Sequence, residues 1–138
     1  MTDKIGPERR SANMAAIKSK NTKPELAVRS ALRALKVGYR LNRRDLVGTP
    51  DVVMYGRRKI VLVHGCFWHR HDDCRYAYMP KSRVEFWAEK FRKTVERDSR
   101  NFEALTSDGW SVLIIWECET KDAILLRSRI AEFVDVRP

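Results

Sequence analysis

The stretch VLVHGCFWHRHDDC, residues 61–74, concentrates groups that bind metals and move protons. All three histidines of the chain lie here (His64, His69, His71), with two of its three cysteines (Cys66, Cys74) and two large aromatic rings (Phe67, Trp68). Cys66, Cys74 and the distant Cys118 offer three soft ligands, and His69 or His71 offers a fourth. Zinc takes four N/S ligands in a tetrahedron, and a Cys3His set makes a closed, structural site. A catalytic zinc keeps one position open and uses three protein ligands, which this supply of four argues against. The competing reading is three buried free thiols, common for cysteine. The Cys-x4-His-x2-Cys spacing with a further Cys favours the metal. Spacing alone does not choose between His69 and His71.

A second set of groups has the chemistry of phosphodiester hydrolysis. Asp51 opens one strand and His64 ends the next, so a hairpin between them brings the two together. Glu25 lies in the first turn of the preceding helix, where a carboxylate also suits the helix dipole. Carboxylates bind Mg²⁺ and an imidazole handles a proton. A hard cation offsets charge on a phosphate and a base activates water. Each residue also has a plainer role: Glu25 completes a capping box, Asp51 is a turn residue after Pro50, and His64 is a satisfied core histidine.

These residues must be positioned by an α/β domain. NTKPELAVRSALRALKVGY opens with Thr22 as N-cap and Glu25 three residues on, a capping box. Leu26, Val28, Ala31, Leu32 and Leu35 then recur near helical period, and Gly38 is the expected stop. Strands are expected over Asp51–Tyr55 and Lys59–His64, joined by a turn at Gly56. A long amphipathic helix follows over 82–110, with apolar spacing at Phe86, Trp87, Phe91, Val95, Phe102 and Leu105, and Gly109 marks its exit. WSVLIIWEC, 110–118, reads as a central strand. Thr120 is the expected cap of a last helix over 121–134. Trp110 and Trp116 are assigned to the core. This order gives helices packed on a small mixed sheet.

The 138 residues are expected to form one domain: a flexible arm, residues 1–21, and a core, residues 22–138. The net charge is +10, and residues 1–50 carry 12 Lys/Arg against 4 Asp/Glu. A basic arm on a nearly neutral body suits nucleic-acid binding, although charge alone also serves solubility. No stretch approaches the ~20 apolar residues of a membrane span, and the N-terminus carries no signal-peptide pattern. A soluble, intracellular protein is expected.

PD at 50–51, VHGCFWHRHDDC at 63–74, EFWAEK at 85–90, VERD at 95–98 and GWSVLIIWEC at 109–118 resemble the very short patch repair (Vsr) DNA mismatch endonucleases. RSANMAAI at 10–17 and NTKPE at 21–25 resemble the family's opening, so the likeness spans roughly residues 9 to 120. The resemblance implies a restriction-endonuclease-like core with an added structural zinc. It implies a Mg²⁺-dependent nick on the 5′ side of the mispaired T of a T:G mismatch, in repair of deaminated 5-methylcytosine. Carried over by position, Asp51 and the backbone carbonyl of Val63 bind Mg²⁺. His69 is the general base, assisted by His64, and Glu25 supports the centre. Cys66, His71, Cys74 and Cys118 hold zinc, which leaves His69 for chemistry. Phe67, Trp68 and Trp87 wedge into the duplex, Met14 clamps the opposite groove, and Lys90 and Thr94 contact DNA. Thr94 stands where the family carries an Asn that helps read the mismatch, which implies a broadened mismatch tolerance. A monomer acting in the cytoplasm, nucleoid-associated when on DNA, is expected, with other mismatch-repair proteins as further partners. Two other classes compete: a non-catalytic zinc-containing DNA-binding module, and a catalytic-zinc hydrolase of another substrate.

Overall fold

The computed structural model describes residues 21–136. The arm expected over 1–21, with Met14, lies outside the described residues apart from Asn21.

Helix α1, Lys23–Ala34, begins as its capping box dictates. Thr22 Oγ1 accepts from the Glu25 N–H, and Glu25 Oε2 accepts from the Thr22 N–H at 3.1 Å. Gly38 is not its stop. Lys36 takes the left-handed conformation (φ 58°), and the Val37 N–H returns to the Leu32 carbonyl at 3.0 Å, a Schellman-type ending. Leu26, expected on the buried face, is 46% exposed.

The chain then makes the short strand β1, Arg40–Leu41, and the loop 42–51. Strand β2, Val52–Met54, is shorter than expected because Tyr55–Arg57 curl into a 3-10 turn. Arg58, at φ 56°, finishes the reversal into β3, Lys59–His64. Helix α2, Val84–Ser107, crosses over to β4, Ser111–Trp116. Cys118 therefore lies beyond the strand, in a 3-10 turn over Glu117–Lys121. Helix α3, Ala123–Val134, closes the described chain. Its cap is Asp122, whose carboxylate accepts from the N–H groups of Ile124 and Leu125; the Thr120 hydroxyl instead donates to the Glu117 carbonyl at 2.7 Å.

The sheet order is β1-β2-β3-β4, antiparallel except for the parallel β3/β4 pair. Strand alternation divides the apolar residues between two layers. Val52, Met54, Val61 and Ile115 pack with Val28 and Leu32 of α1 and Leu126 and Ile130 of α3. Val53 and Ile60 pack on the other face with Leu105 of α2 and with Trp110. Helices thus cover both faces of a mixed four-stranded sheet. Truncating a fully buried anchor such as Ile60 or Ile115 to Ala costs about 2–5 kcal/mol.

Helix α2 departs from the even amphipathic helix that its spacing predicts. Only Phe91 and Leu105 are buried, while Phe86, Val95 and Phe102 are exposed. Its first turns overhang the sheet and meet the 65–79 loop rather than the core.

Candidate active site and metal centre

The ends of β2 and β3 deliver the first group. Val52 pairs with Val61 across the hairpin, and the Asp51 carboxylate accepts the Val63 N–H at 2.8 Å. Burial pushes the Asp51 carboxyl up to about 6; the Val63 N–H opposes this and the nearby Glu25 carboxylate reinforces it. Glu25 is itself buried and serves two purposes, capping α1 and placing a second negative charge near Asp51. The Val63 side chain packs against the α1/α3 core.

The imidazoles form a stack. His64 and His69 lie face to face, with ring centroids 4.0 Å apart and 9° between planes. Burial pushes His64 down to about 4, with the neighbouring His69 and Arg97 acting in the same direction, so its ring is neutral at pH 7. His69 Nδ1 meets the Asp98 carboxylate at 2.5 Å. Asp98 comes from α2, so the crossover helix supplies the partner that fixes this ring. VERD at 95–98 was part of the family likeness, but no role for Asp98 was expected from it. The available signal was the helical spacing of Asp98 with Lys90 and Thr94, which share its groove.

That groove has a volume of about 1170 Å³. Asp51, Glu25, His64, His69 and Asp98 line it together with Lys90, Lys93, Thr94 and Arg97 of α2. At its mouth stands an aromatic cluster. Phe67 meets Trp68, Trp87 and Phe91 edge to face, with centroids 5.1, 5.8 and 5.2 Å apart. Phe91 is the buried base of this cluster, and Phe67, Trp68 and Trp87 remain partly exposed. The Lys90 ammonium lies 5.9 Å from the Trp68 ring centroid.

Behind the stack is the second group. The ligand atoms of Cys66, His71, Cys74 and Cys118 all lie within 4.8 Å of one another. His71 Nδ1 is 3.7 Å from Cys66 Sγ and 3.4 Å from Cys118 Sγ. A tetrahedral zinc with its usual bond lengths separates its ligands by about 3.4–3.8 Å, so these residues fit that ion. Burial pushes the Cys66 thiol up to about 12, so a thiolate there needs a compensating cation. His69 lies outside this quartet and joins His64 and Asp98 instead. The three side chains are a metal-capable cluster in their own right.

Trp116 corrects its assignment to the core. It is half-buried, and it connects the two groups. Its ring stacks on His71 (4.3 Å, 10°) and presents an edge to His64 (5.2 Å, 79°). Trp110 is core as expected, 4% exposed.

A mixed sheet between helices, with a half-buried carboxylate, stacked imidazoles and cations gathered in one groove at its strand ends, has the layout of a nuclease-like core. A family profile described as DNA mismatch endonuclease Vsr matches residues 2–75. The Type II nicking enzyme V.XorIIP of Xanthomonas oryzae pv. oryzae is 46% identical over 135 residues, 98% of each chain. The Type II nicking enzyme V.NmeAIP of Neisseria meningitidis is 41% identical over 97% of this chain and 95% of its own. The DNA mismatch endonuclease Vsr of Escherichia coli K12 is 42% identical over 118 residues, 86% of this chain and 75% of its own. The chain belongs to the Vsr family of DNA mismatch endonucleases. That family is described by its action on DNA mismatches, and among the described residues no helix is long and apolar enough to cross a membrane.

Proposed function

We propose that this protein nicks duplex DNA on the 5′ side of the mispaired T of a T:G mismatch, by Mg²⁺-dependent phosphodiester hydrolysis, in very short patch repair of deaminated 5-methylcytosine. The observation that carries the reading is the His69–Asp98 pair lining the same groove as Asp51. Asp98 occupies Nδ1 of His69, which directs the other ring nitrogen to the substrate side. There His69 accepts the proton of the attacking water, the task of a general base. His64, held neutral by burial, stacks on His69 and keeps its plane fixed without adding a second positive charge.

Asp51 and the Val63 carbonyl would hold Mg²⁺, with Glu25 adding negative charge nearby. When bound, that ion supplies charge to the scissile phosphate and its leaving oxygen. Cys66, His71, Cys74 and Cys118 would hold zinc, which ties the 65–79 loop to the turn after β4. That loop carries His69, Phe67 and Trp68, so its fixation positions both the base and the aromatic cluster.

Phe67, Trp68 and Trp87 act as the wedge. Unstacking a base step costs about a few kcal/mol and least at a mismatch, so a rigid aromatic platform converts weak pairing into selectivity. Lys90 and Thr94 sit one and two turns into α2 from Trp87 and face the same groove. Thr94 donates its hydroxyl to the Lys90 carbonyl at 3.1 Å, which leaves it an acceptor without the amide donors of an Asn and supports a broadened mismatch tolerance. Residues 1–21, with Met14, form the clamp on the opposite groove, and residues 22–138 form the catalytic core.

Nicking assays on duplexes bearing each mismatch in several flanking contexts test this reading. A Mg²⁺-dependent single-strand cut 5′ to T, strongest on T:G with weaker cutting elsewhere, is expected. Mismatch binding without a cut would replace it with the non-catalytic binding module.

A further inference from the structure

Helix α2 segregates its charge. On the face turned away from the groove, Arg92 bonds both Glu89 (Nε–Oε2, 3.0 Å) and Glu96 (Nη1–Oε1, 2.7 Å), so one guanidinium is held between two carboxylates there. On the groove face the only acid is Asp98, and it is committed to His69. The cations of that face are Lys90, Lys93, Arg97 and Arg100. Lys90 lies against Trp68, and Lys93 has only a distant contact with Glu89 at 3.9 Å. Arg97 and Arg100 are exposed and form no ion pair with a described residue. A surface guanidinium on an acid-rich helix ordinarily finds a carboxylate at i±3 or i±4. Arg97 has no carboxylate at either spacing, and Arg100, with Glu96 at i−4 and Glu103 at i+3, pairs with neither.

Position along the helix gives this stripe a direction. Trp87 belongs to the aromatic cluster, Asp98 to the imidazole stack, and Arg100 and Asn101 to the groove beyond it. From Lys90 to Arg100 the axis advances about 15 Å, long enough to follow a backbone over more than one phosphate. The opposite wall is the 42–49 loop, braced on α2 at Gly48. That residue has φ +74°, and a Cβ added there would stand 2.7 Å from Asn101 Nδ2.

We propose that Arg97 and Arg100 form a phosphate track for the nicked strand on the 5′ side of the cut, the side away from the aromatic wedge. They are positioning residues: they hold the upstream backbone so that the scissile phosphate stays over Asp51 and His69. The inference rests on the reading of Asp51 and His69 as the nicking centre, with the wedge at the mismatch. Guanidinium groups suit the role because their fixed fork matches phosphate oxygens.

The test measures binding and nicking of a T:G duplex by the full chain, by Arg97→Ala and Arg100→Ala, and by Arg127→Ala on the outer surface of α3 as a control. Binding is read as affinity against salt in Ca²⁺. Single methylphosphonates, which remove one backbone charge, are placed at each position on either side of the mispaired T. Each groove variant is expected to weaken binding and to lower the salt slope by about 1, with the control unchanged. A neutral linkage one to three positions upstream of the cut should erase the difference between variant and parent, and downstream neutral linkages should leave it intact. Unchanged salt slopes, or erasure only from the downstream side, overturn the proposal. Because positions are counted from the mispaired T, the binding map stands even if no strand is cut. That result would defeat the proposed hydrolysis and leave the track supported.

Discussion

Replacing Asp51 by Asn should abolish nicking and stabilise the fold. The carboxyl is raised from 3.8 to about 6, chiefly by burial. A carboxylate whose folded-state pKa exceeds its unfolded value costs stability once it ionises. The cost is absent below the unfolded value, grows as pH rises, and is complete above the folded value. Roughly two units at ~1.36 kcal/mol each gives a cost of about 3 kcal/mol at pH 8 and about half of that at pH 5. Asn keeps an oxygen for the Val63 N–H, now 2.8 Å from the carboxylate, but as a weaker, uncharged acceptor. The net gain expected at pH 8 is therefore about 1–3 kcal/mol, a rise in Tm of roughly 4–12 °C for a chain of this length. Thermal melts of the zinc-loaded proteins in Mg²⁺-free buffer at pH 5 and pH 8 read it directly. Adding Mg²⁺ should then raise the Tm of the parent and leave that of the variant unmoved. A variant that melts at or below the parent at pH 8, or a gap that widens toward pH 5, would refute the argument that this carboxylate is held in place at the expense of stability.

Asp98→Asn keeps the shape of the side chain but not its charge, so kcat should fall about 10²–10⁴-fold with little change in KM, measured by single-turnover nicking. Cys118→Ser removes one thiolate from the quartet; metal analysis should show loss of stoichiometric zinc, and the melting temperature should drop. Trp68→Ala should weaken T:G binding more than matched-duplex binding, narrowing the ratio between the two by about 10-fold, as a wedge contribution of 1–2 kcal/mol requires. An equal loss on both duplexes would make Trp68 a general DNA contact.

Much of the site was legible because its signals are local. The capping box of Thr22 and Glu25, the hairpin that brings Asp51 and His64 to one groove, and the Cys66–Cys74 spacing each act within about a dozen residues. Cys118 was legible as a soft ligand without a nearby partner. What escaped depends on how distant elements pack. The His69–Asp98 pair spans 29 positions and exists only because α2 crosses over the sheet between β3 and β4. Trp116 looked like core because the apolar run suggested a central strand, yet β4 is an edge strand and Trp116 its last residue, where the sheet gives way to the Glu117–Lys121 turn and an aromatic ring can serve two imidazoles. The exposed Phe86 departed from the amphipathic reading of α2 for the same reason: the N-terminal turns of the helix cover a loop rather than the sheet, and further along Val95 and Phe102 are exposed as well. The cap of α3 fell to Asp122 because the Glu117–Lys121 turn, which carries Cys118, uses the Thr120 hydroxyl for itself.

The central claim is most directly tested on a labelled duplex with a single T:G mismatch, incubated with the protein with and without Mg²⁺, beside the matched duplex. A Mg²⁺-dependent nick in one strand, on the 5′ side of the mispaired T, is the predicted result. Tight binding to the mismatch with both strands intact, across several flanking sequences, would contradict it.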